Sequence, residues 1–388
     1  KNYSDFKKIF MIIGINATFK LHGGAKTHLL EFIKWIRLLR PGYQLIIYTR
    51  KENLHELHKV DLIGVKLVTI NGISKSNVIR VIWEQLVLPF TAIKMKNDIL
   101  FCPGNMSPIL NTVKKKVQWI GTIGPFCNEI YKDISFQMKL EFYFNKILIL
   151  LSGLTSDVVI HSTGYSMHLF IDKYFFNKDK QYLINAGKED YFSLKEGDLL
   201  KSEKYSNDMV VVSHLYRYKN IENLIYAYSE FISNSNANNK LHIIGSPINL
   251  KYYQYLLDLV RNLNLVDRVI FSGEMKKEDL REVYSSCKLF VFPSFCESSG
   301  YILIEAMSCG SPILASNRTA IPYTCSEAAI YFDPKDVSQL SLLMSRMMNE
   351  KYNLKERKEA SLLQASKMPN YKESVEDFLS ILENKGGL

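Results

Sequence analysis

Short, nearly continuous apolar runs recur along this chain, bounded by glycine, proline or polar residues. They alternate with stretches whose apolar residues fall at three- and four-residue spacing. The first kind predicts strands of a parallel sheet buried on both faces, and the second predicts amphipathic helices. Strands are expected at 8–15, 44–48, 65–70, 98–101, 117–120 and 157–160, and again at 209–212, 241–245, 269–273, 289–292 and 330–332. Helices are expected at 25–39, 78–90 (ending before Pro89), 136–151, 221–233, 256–263, 278–287, 300–309, 337–348 and 372–382. Strand and helix in alternation is the pattern of doubly wound α/β folds. The polar, charged stretch near 188–207 divides the pattern into two similar halves. No run reaches the roughly 18 apolar residues that a membrane span needs. Residues 9–15 follow Lys7 and Lys8 but are too short for a signal sequence and read as the first strand.

The stretch 289–316, LFVFPSFCESSGYILIEAMSCGSPILAS, is the most informative. It reads as strand, polar loop, helix, strand, a unit that places its loop at the carboxyl end of the first strand. The helix is apolar on nearly every side and yet carries Glu305. A buried carboxylate without a partner costs several kcal/mol. Glu297 sits eight residues earlier in the loop, and the helix start between the two glutamates offers amide groups and partial positive charge. Two carboxylates for hydroxyls with an anion site between them suit a sugar nucleotide. The plainer alternative pairs Glu305 with a neighbouring Lys or Arg and leaves Glu297 solvated.

Two other loops carry weaker signals. Residues 213–220, SHLYRYKN, put Arg217 and Lys219 before a helix, where a forked and a compact cation suit a diphosphate. Gly23 and Gly24 open a helix after the first strand, where backbone amides can approach a phosphate. His28 on that helix is read equally well as an ordinary surface residue.

Charge changes the picture in the first half only. Of 388 residues, 1–190 hold 26 Lys and Arg against 15 Asp and Glu, whereas 191–388 hold 23 against 24. A basic first half fits an acidic acceptor or an anionic membrane surface, or is a basic surface with no specific target. No nucleic-acid recognition motif is present. Lys114–Lys116 and the aromatic-rich segment 136–151 read more simply as a solvated turn and a core helix. The six cysteines (102, 127, 287, 296, 309 and 325) show neither a C-x-x-C pair nor metal spacing, and are expected to be reduced core residues of a cytosolic protein.

Glu297, seven residues, then Glu305, with Gly300 between and AMSCGSPILAS following, resembles the signature of the retaining glycosyltransferases of family 4. The resemblance covers most of the chain and is strongest over 208–335. It implies an α/β GT-B fold of two doubly wound Rossmann-like domains facing a central cleft. Residues 1–190 would bind acceptor, 191–365 would bind the nucleotide sugar, and 366–388 would be a helix crossing back. It implies retaining, metal-independent transfer of a sugar from a nucleotide diphosphate sugar to a saccharide or lipid-linked acceptor hydroxyl. The setting would be polysaccharide or glycolipid synthesis in the cytoplasm or at the inner membrane face, with no cofactor beyond the co-substrate. By resemblance Glu297 contacts the transferred sugar and Lys219 the diphosphate, as catalytic residues. Glu305 binds ribose, and Gly24, Ser213, His214, Arg217, Gly273, Ser299, Gly300, Tyr301 and Ile302 complete the donor site. Gly23, Gly24 and His28 match the family's G-G-x-x-x-H loop, and Trp83–Leu86 and LINAG at 183–187 match further segments. Two departures stand out. The family's His-Asp pair falls on Gly121 and Thr122, and its donor-site Arg falls on His214, with Arg217 three residues later. These motivate a rival reading as a non-catalytic nucleotide-sugar-binding or scaffold protein. A phosphorylase or epimerase on the same fold is a second rival, against which the glutamate pair argues.

Overall fold

The computed structural model describes residues 11–21, 23–73, 76–132, 134–185, 187–194, 204–235, 238–349 and 352–384. Residues 8–10 of the expected first strand, residue 186 and residues 195–203 of the expected linker lie outside this set. The chain forms two compact units, one from Lys1–Pro125, Phe136–Gly187 and Pro369–Leu388, the other from Phe126–Ser135 and Lys188–Met368.

The first unit is built on seven parallel strands: β1 Met11–Ala17, β2 Tyr43–Arg50, β3 Val65–Ile70, β4 Ile99–Cys102, β5 Lys115–Ile120, β6 Val158–His161 and β7 Gln181–Leu183, in the order β3-β2-β1-β4-β5-β6-β7. Along the inner strands β1, β2, β4, β5 and β6 the apolar runs are buried on both faces, whereas the edge strands β3 and β7 are only partly covered. One side of the sheet packs on helix Gly23–Leu39, and the same core holds Phe378 of helix Tyr371–Asn384 against Phe32, Phe101 and Trp119.

Three local expectations for this unit change. The helix expected over 78–90 is two, Asn77–Leu86 and Leu88–Lys94. Pro89 falls in the first turn of the second, where its missing N–H has no intrahelical partner to lose. The run Lys114–Lys116 is no solvated turn. Lys115 and Lys116 lie in β5, and the fully buried Lys116 Nζ donates to the Pro108 carbonyl (2.6 Å) and to Thr155 Oγ1 (2.9 Å). His28 is no surface residue either. It is buried with its ring 4.3 Å from Phe32 and 4.6 Å from Trp119, and burial pulls its pKa down to about 3, so it is neutral.

The second unit has six parallel strands: β8 Met209–Val212, β9 Leu241–Ile244, β10 Val269–Gly273, β11 Leu289–Phe292, β12 Ile313–Ser316 and β13 Ala329–Phe332, in the order β10-β9-β8-β11-β12-β13. The chain builds outward from β8 to β10, then returns to the other side of β8 for β11. The loops after β8 and β11 therefore leave neighbouring strands in opposite directions. Such a switch point opens a crevice at the carboxyl ends of the strands, and it is where doubly wound sheets bind ligands. Helix Leu354–Ser366, which apolar spacing did not reveal, also belongs to this unit.

Candidate functional site

The loops after β8 and β11 carry most of the residues singled out from sequence, and hydrogen bonds lock the two loops together. Asn220, fully buried at a φ of 60°, closes the first loop and donates from Nδ2 to the carbonyls of Pro293 (3.2 Å) and Pro334 (2.7 Å). Asparagine suits this left-handed position, which most residues avoid. The Phe295 amide donates to the Tyr218 carbonyl at 2.9 Å. The Glu297 amide donates to Thr319 Oγ1 at 2.9 Å, tying in the loop after β12. Helix Tyr301–Ser308 begins at Gly300, whose φ of 68° favours glycine. Leu303 and Ile304 make the first helical bonds, both to the Gly300 carbonyl, so the helix does not use the amides ahead of them. Ser299 is buried, and its carbonyl accepts from Thr324 Oγ1 at 2.8 Å.

Lys219 Nζ donates to Glu297 Oε1, with the two side chains only 12% and 14% exposed. Burial opposes the charge on Lys219, but the Glu297 carboxylate together with the Tyr218 and Tyr216 phenols holds the pKa above the ordinary lysine value. The ammonium also lies 5.2 Å from the Tyr218 ring centre and 5.7 Å from that of Phe292. Glu297 is thus not a solvated loop residue. Among the described residues, Glu305 forms no ion pair with a Lys or Arg. Its Oε2 accepts from the phenol of Tyr284 at 3.0 Å, and burial raises its pKa to about 7. The structure therefore presents one ion-paired carboxylate and one carboxylate held by a neutral donor, on either side of a helix start.

Other expected residues do not converge on this pair. Arg217 turns towards helix Leu250–Asn262, stacking over Tyr252 and Tyr255 and lying 3.7 Å from Glu222. Its place is set by those rings, which residue spacing did not foretell. His214 is exposed and Ser213 is buried. Gly273 ends β10 at a φ of 70°, and its carbonyl accepts from the Gly245 amide at 2.7 Å. Gly24 lies in the first turn of helix Gly23–Leu39 in the first unit. The amides of Gly121 and Thr122, also in the first unit, both donate to Asn105 Oδ1, at 2.7 and 2.8 Å. That loop is organised around an asparagine at a φ of 71°.

Sequence reasoning missed three features of the site. Tyr284 sits on helix Lys277–Ser286 at a position that reads as ordinary core. Residues 126–135 follow β5 of the first unit but belong to the second, where Asn128–Lys132 packs on Arg217–Lys219. Cys127 is disulfide-bonded to Cys296, the residue before Glu297. This corrects the expectation that all six cysteines are reduced. The other four (Cys102, Cys287, Cys309 and Cys325) are free and buried, as expected of core residues. A pair 169 residues apart has no signature in spacing, and only the packing of residues 126–135 brings it together. No group of His, Cys, Asp or Glu arranged to hold a metal occurs among the described residues.

Residues 197–362, which contain Lys219, Tyr284, Glu297, Gly300 and Glu305, match the family Glycosyl transferases group 1. Within these residues the chain resembles the group 1 glycosyltransferases. Among curated proteins, this chain is 32% identical over 150 residues to the serotype-specific mannosyltransferase WbdA of Escherichia coli, covering 38% of this chain and 18% of that protein. The match thus spans under a fifth of the relative's length. Among solved structures, a glycosyltransferase from Rickettsia africae ESF-5 superposes with a TM-score of 0.73 at 17% identity, covering 97% of this chain and 99% of the other. Anabaena Alr3699/HepE, solved in complex with UDP and glucose, superposes with a TM-score of 0.69 at 17% identity, covering 96% and 99%. At these identities the likeness speaks to fold, and the fold is GT-B with two Rossmann-like domains.

Proposed function

We propose that this protein transfers a sugar, with retention, from a nucleotide diphosphate sugar to an acceptor hydroxyl in the synthesis of a polysaccharide or glycolipid, without a metal or further cofactor. The observation that carries the reading is the Lys219–Glu297 pair beside Glu305 at the switch point of the group 1 unit. Departure of the diphosphate builds negative charge, and Lys219 with the amides at Gly300–Ile302 would neutralise it where water is scarce. Glu297, released from Lys219 when the diphosphate takes the cation, would orient the sugar and favour positive charge at the anomeric carbon. Glu305 would accept from the ribose hydroxyls. The UDP and glucose held by HepE, and the mannosyl transfer named for WbdA, support this donor class.

The test is calorimetric and thermal-shift binding of UDP, GDP and ADP, with their common sugar forms, to the wild type and to Glu305→Ala. A ligand that binds only the native state raises its melting temperature. One nucleotide is expected to bind selectively, and about tenfold or more weakly in Glu305→Ala, since the variant loses hydrogen bonds to a charged group. Binding of no nucleotide would favour a scaffold role.

The acceptor side of the reading is peripheral contact of the first unit with an anionic membrane at the cytoplasmic face. Of the 30 large apolar side chains exposed among the described residues, 17 fall within residues 78–154. They line helices Asn77–Leu86, Leu88–Lys94 and Phe136–Thr155 and the loop at 109–110. Gln85 Nε2 and Ser152 Oγ both donate to the Ser107 carbonyl (3.1 and 2.7 Å), which links helices Asn77–Leu86 and Phe136–Thr155. Helix Phe136–Thr155 is therefore not the core helix expected of it. Exposed apolar area of this extent marks an interaction surface. No described helix is long and apolar enough to cross a membrane. Sedimentation with phosphatidylcholine vesicles containing phosphatidylglycerol is expected to carry the protein down, and Phe90→Ser with Phe144→Ser to leave it in solution. Equal recovery of both proteins in the pellet would remove this face from the proposal.

A further inference from the structure

Tyr284 is fully buried at the end of helix Lys277–Ser286, with its ring 5.9 Å from Phe192 and 5.6 Å from Phe290. Ser311 Oγ donates to its backbone carbonyl at 2.6 Å, so both ends of the residue are fixed. A buried phenol needs a partner, and its hydroxyl donates to Glu305 Oε2 at 3.0 Å. The Glu305 side chain reaches the surface in part. The other charged and titratable groups that act on this pair are few. Glu189 and Lys277 act on Glu305 with opposite sign, and they are themselves an ion pair. Cys287 and Cys309 are buried thiols whose pKa values burial raises, so they are neutral. Arg281 lies over the Tyr191 ring at 5.7 Å.

We infer that Tyr284 is a positioning residue for the donor site: its phenol anchors Glu305 Oε2 and so presents Oε1 to the ribose hydroxyls of the nucleotide. The inference rests on the donor reading above. Ribose hydroxyls donate, and they bond more strongly to the ionised carboxylate than to the neutral acid. Burial favours the protonated form, and the Tyr284 hydrogen bond acts against burial by stabilising the anion. Nucleotide affinity therefore rises as pH increases through about 7, where Glu305 loses its proton. Removing the phenol hydroxyl moves that rise to higher pH.

The experiment compares wild type, Tyr284→Phe and Glu305→Gln. Each is titrated with UDP, GDP and ADP across a pH series, and the Glu305 carboxyl is followed by ¹³C NMR, assigned by its absence in Glu305→Gln. Phenylalanine keeps the ring packing and removes only the donor. Tyr284→Phe is expected to bind the preferred nucleotide about tenfold more weakly near neutrality, the loss expected for one hydrogen bond to a charged group. The deficit narrows at alkaline pH, and the carboxyl midpoint moves up. In Glu305→Gln the pH dependence disappears. An unchanged midpoint in Tyr284→Phe, or a loss of affinity equal at every pH, would overturn the inference. If the wild type binds none of the three nucleotides, the donor reading fails. The carboxyl midpoint then still decides the contact: an upward shift in Tyr284→Phe supports it, and no shift overturns it.

Discussion

Lys219→Ala is expected to lower turnover roughly a hundred- to a thousand-fold, the range seen when one preorganised charge-stabilising group is removed. The argument begins with burial. Lys219 and Glu297 are almost entirely enclosed and in direct contact. In a site of low effective dielectric, a cation placed before the diphosphate arrives costs no reorganisation when charge develops. The substitution also strands the Glu297 carboxylate, and breaking a buried pair on one side costs about 3–5 kcal/mol. Lost activity could then reflect lost stability, so a second variant separates the two. Lys219→Met with Glu297→Gln removes both charges and keeps the volume. It is expected to recover most of the melting temperature and none of the turnover. Turnover with a nucleotide sugar at the wild-type rate in Lys219→Ala would contradict the assignment, as would recovery of activity in the double variant.

Phe378→Ala is expected to destabilise the first unit by about 3–5 kcal/mol, the usual cost of emptying a buried aromatic site. Phe378 has no exposed surface, and its ring lies 4.7 Å from Phe101, 5.5 Å from Phe32 and 6.4 Å from Trp119. These rings come from strands β4 and β5, which are held in register by their pairing, and from helix Gly23–Leu39. Helix Tyr371–Asn384 is thus part of the core of a unit whose other residues precede it by about half the chain. Urea unfolding followed by tryptophan fluorescence measures the loss, since Trp35, Trp83 and Trp119 all lie in the first unit. Phe378→Leu, which keeps most of the volume, is expected to cost about 1 kcal/mol. A midpoint unchanged in Phe378→Ala would mean that this helix does not support the unit.

Much of this molecule is legible in one dimension. Apolar runs such as 289–292 and 209–212 become strands, because a parallel strand buried on both faces has no room for polar side chains. The glutamates at 297 and 305, the glycine at 300 and the lysine at 219 stand on neighbouring loops, because chain order in a doubly wound sheet dictates which strands are central. The resemblance to a known family reached the same residues, and the matched region contains them all. Boundaries moved by a few residues where capping decided them, as at Pro89 and Gly300.

Contacts between residues distant in sequence had no such signal. Periodicity marks a residue as buried without naming its neighbour. Glu305 was recognisable as a carboxylate in need of a partner, but that the partner is the phenol of Tyr284 follows only from how two helices pack. Arg217 and Lys219 look equivalent in the string SHLYRYKN, and yet aromatic rings on another helix draw one away while Glu297 holds the other. Lys116 looked like a solvated charge until strand pairing carried it inside. Cys127 meets Cys296 because residues 126–135 fold with the second unit rather than the first. Local pattern and chain order thus prescribe the elements, their sequence in the sheets and the loops that bear the chemistry. Which side chains pair within those loops is decided by three-dimensional packing, since burial leaves each polar group only the partner that its neighbours bring into reach.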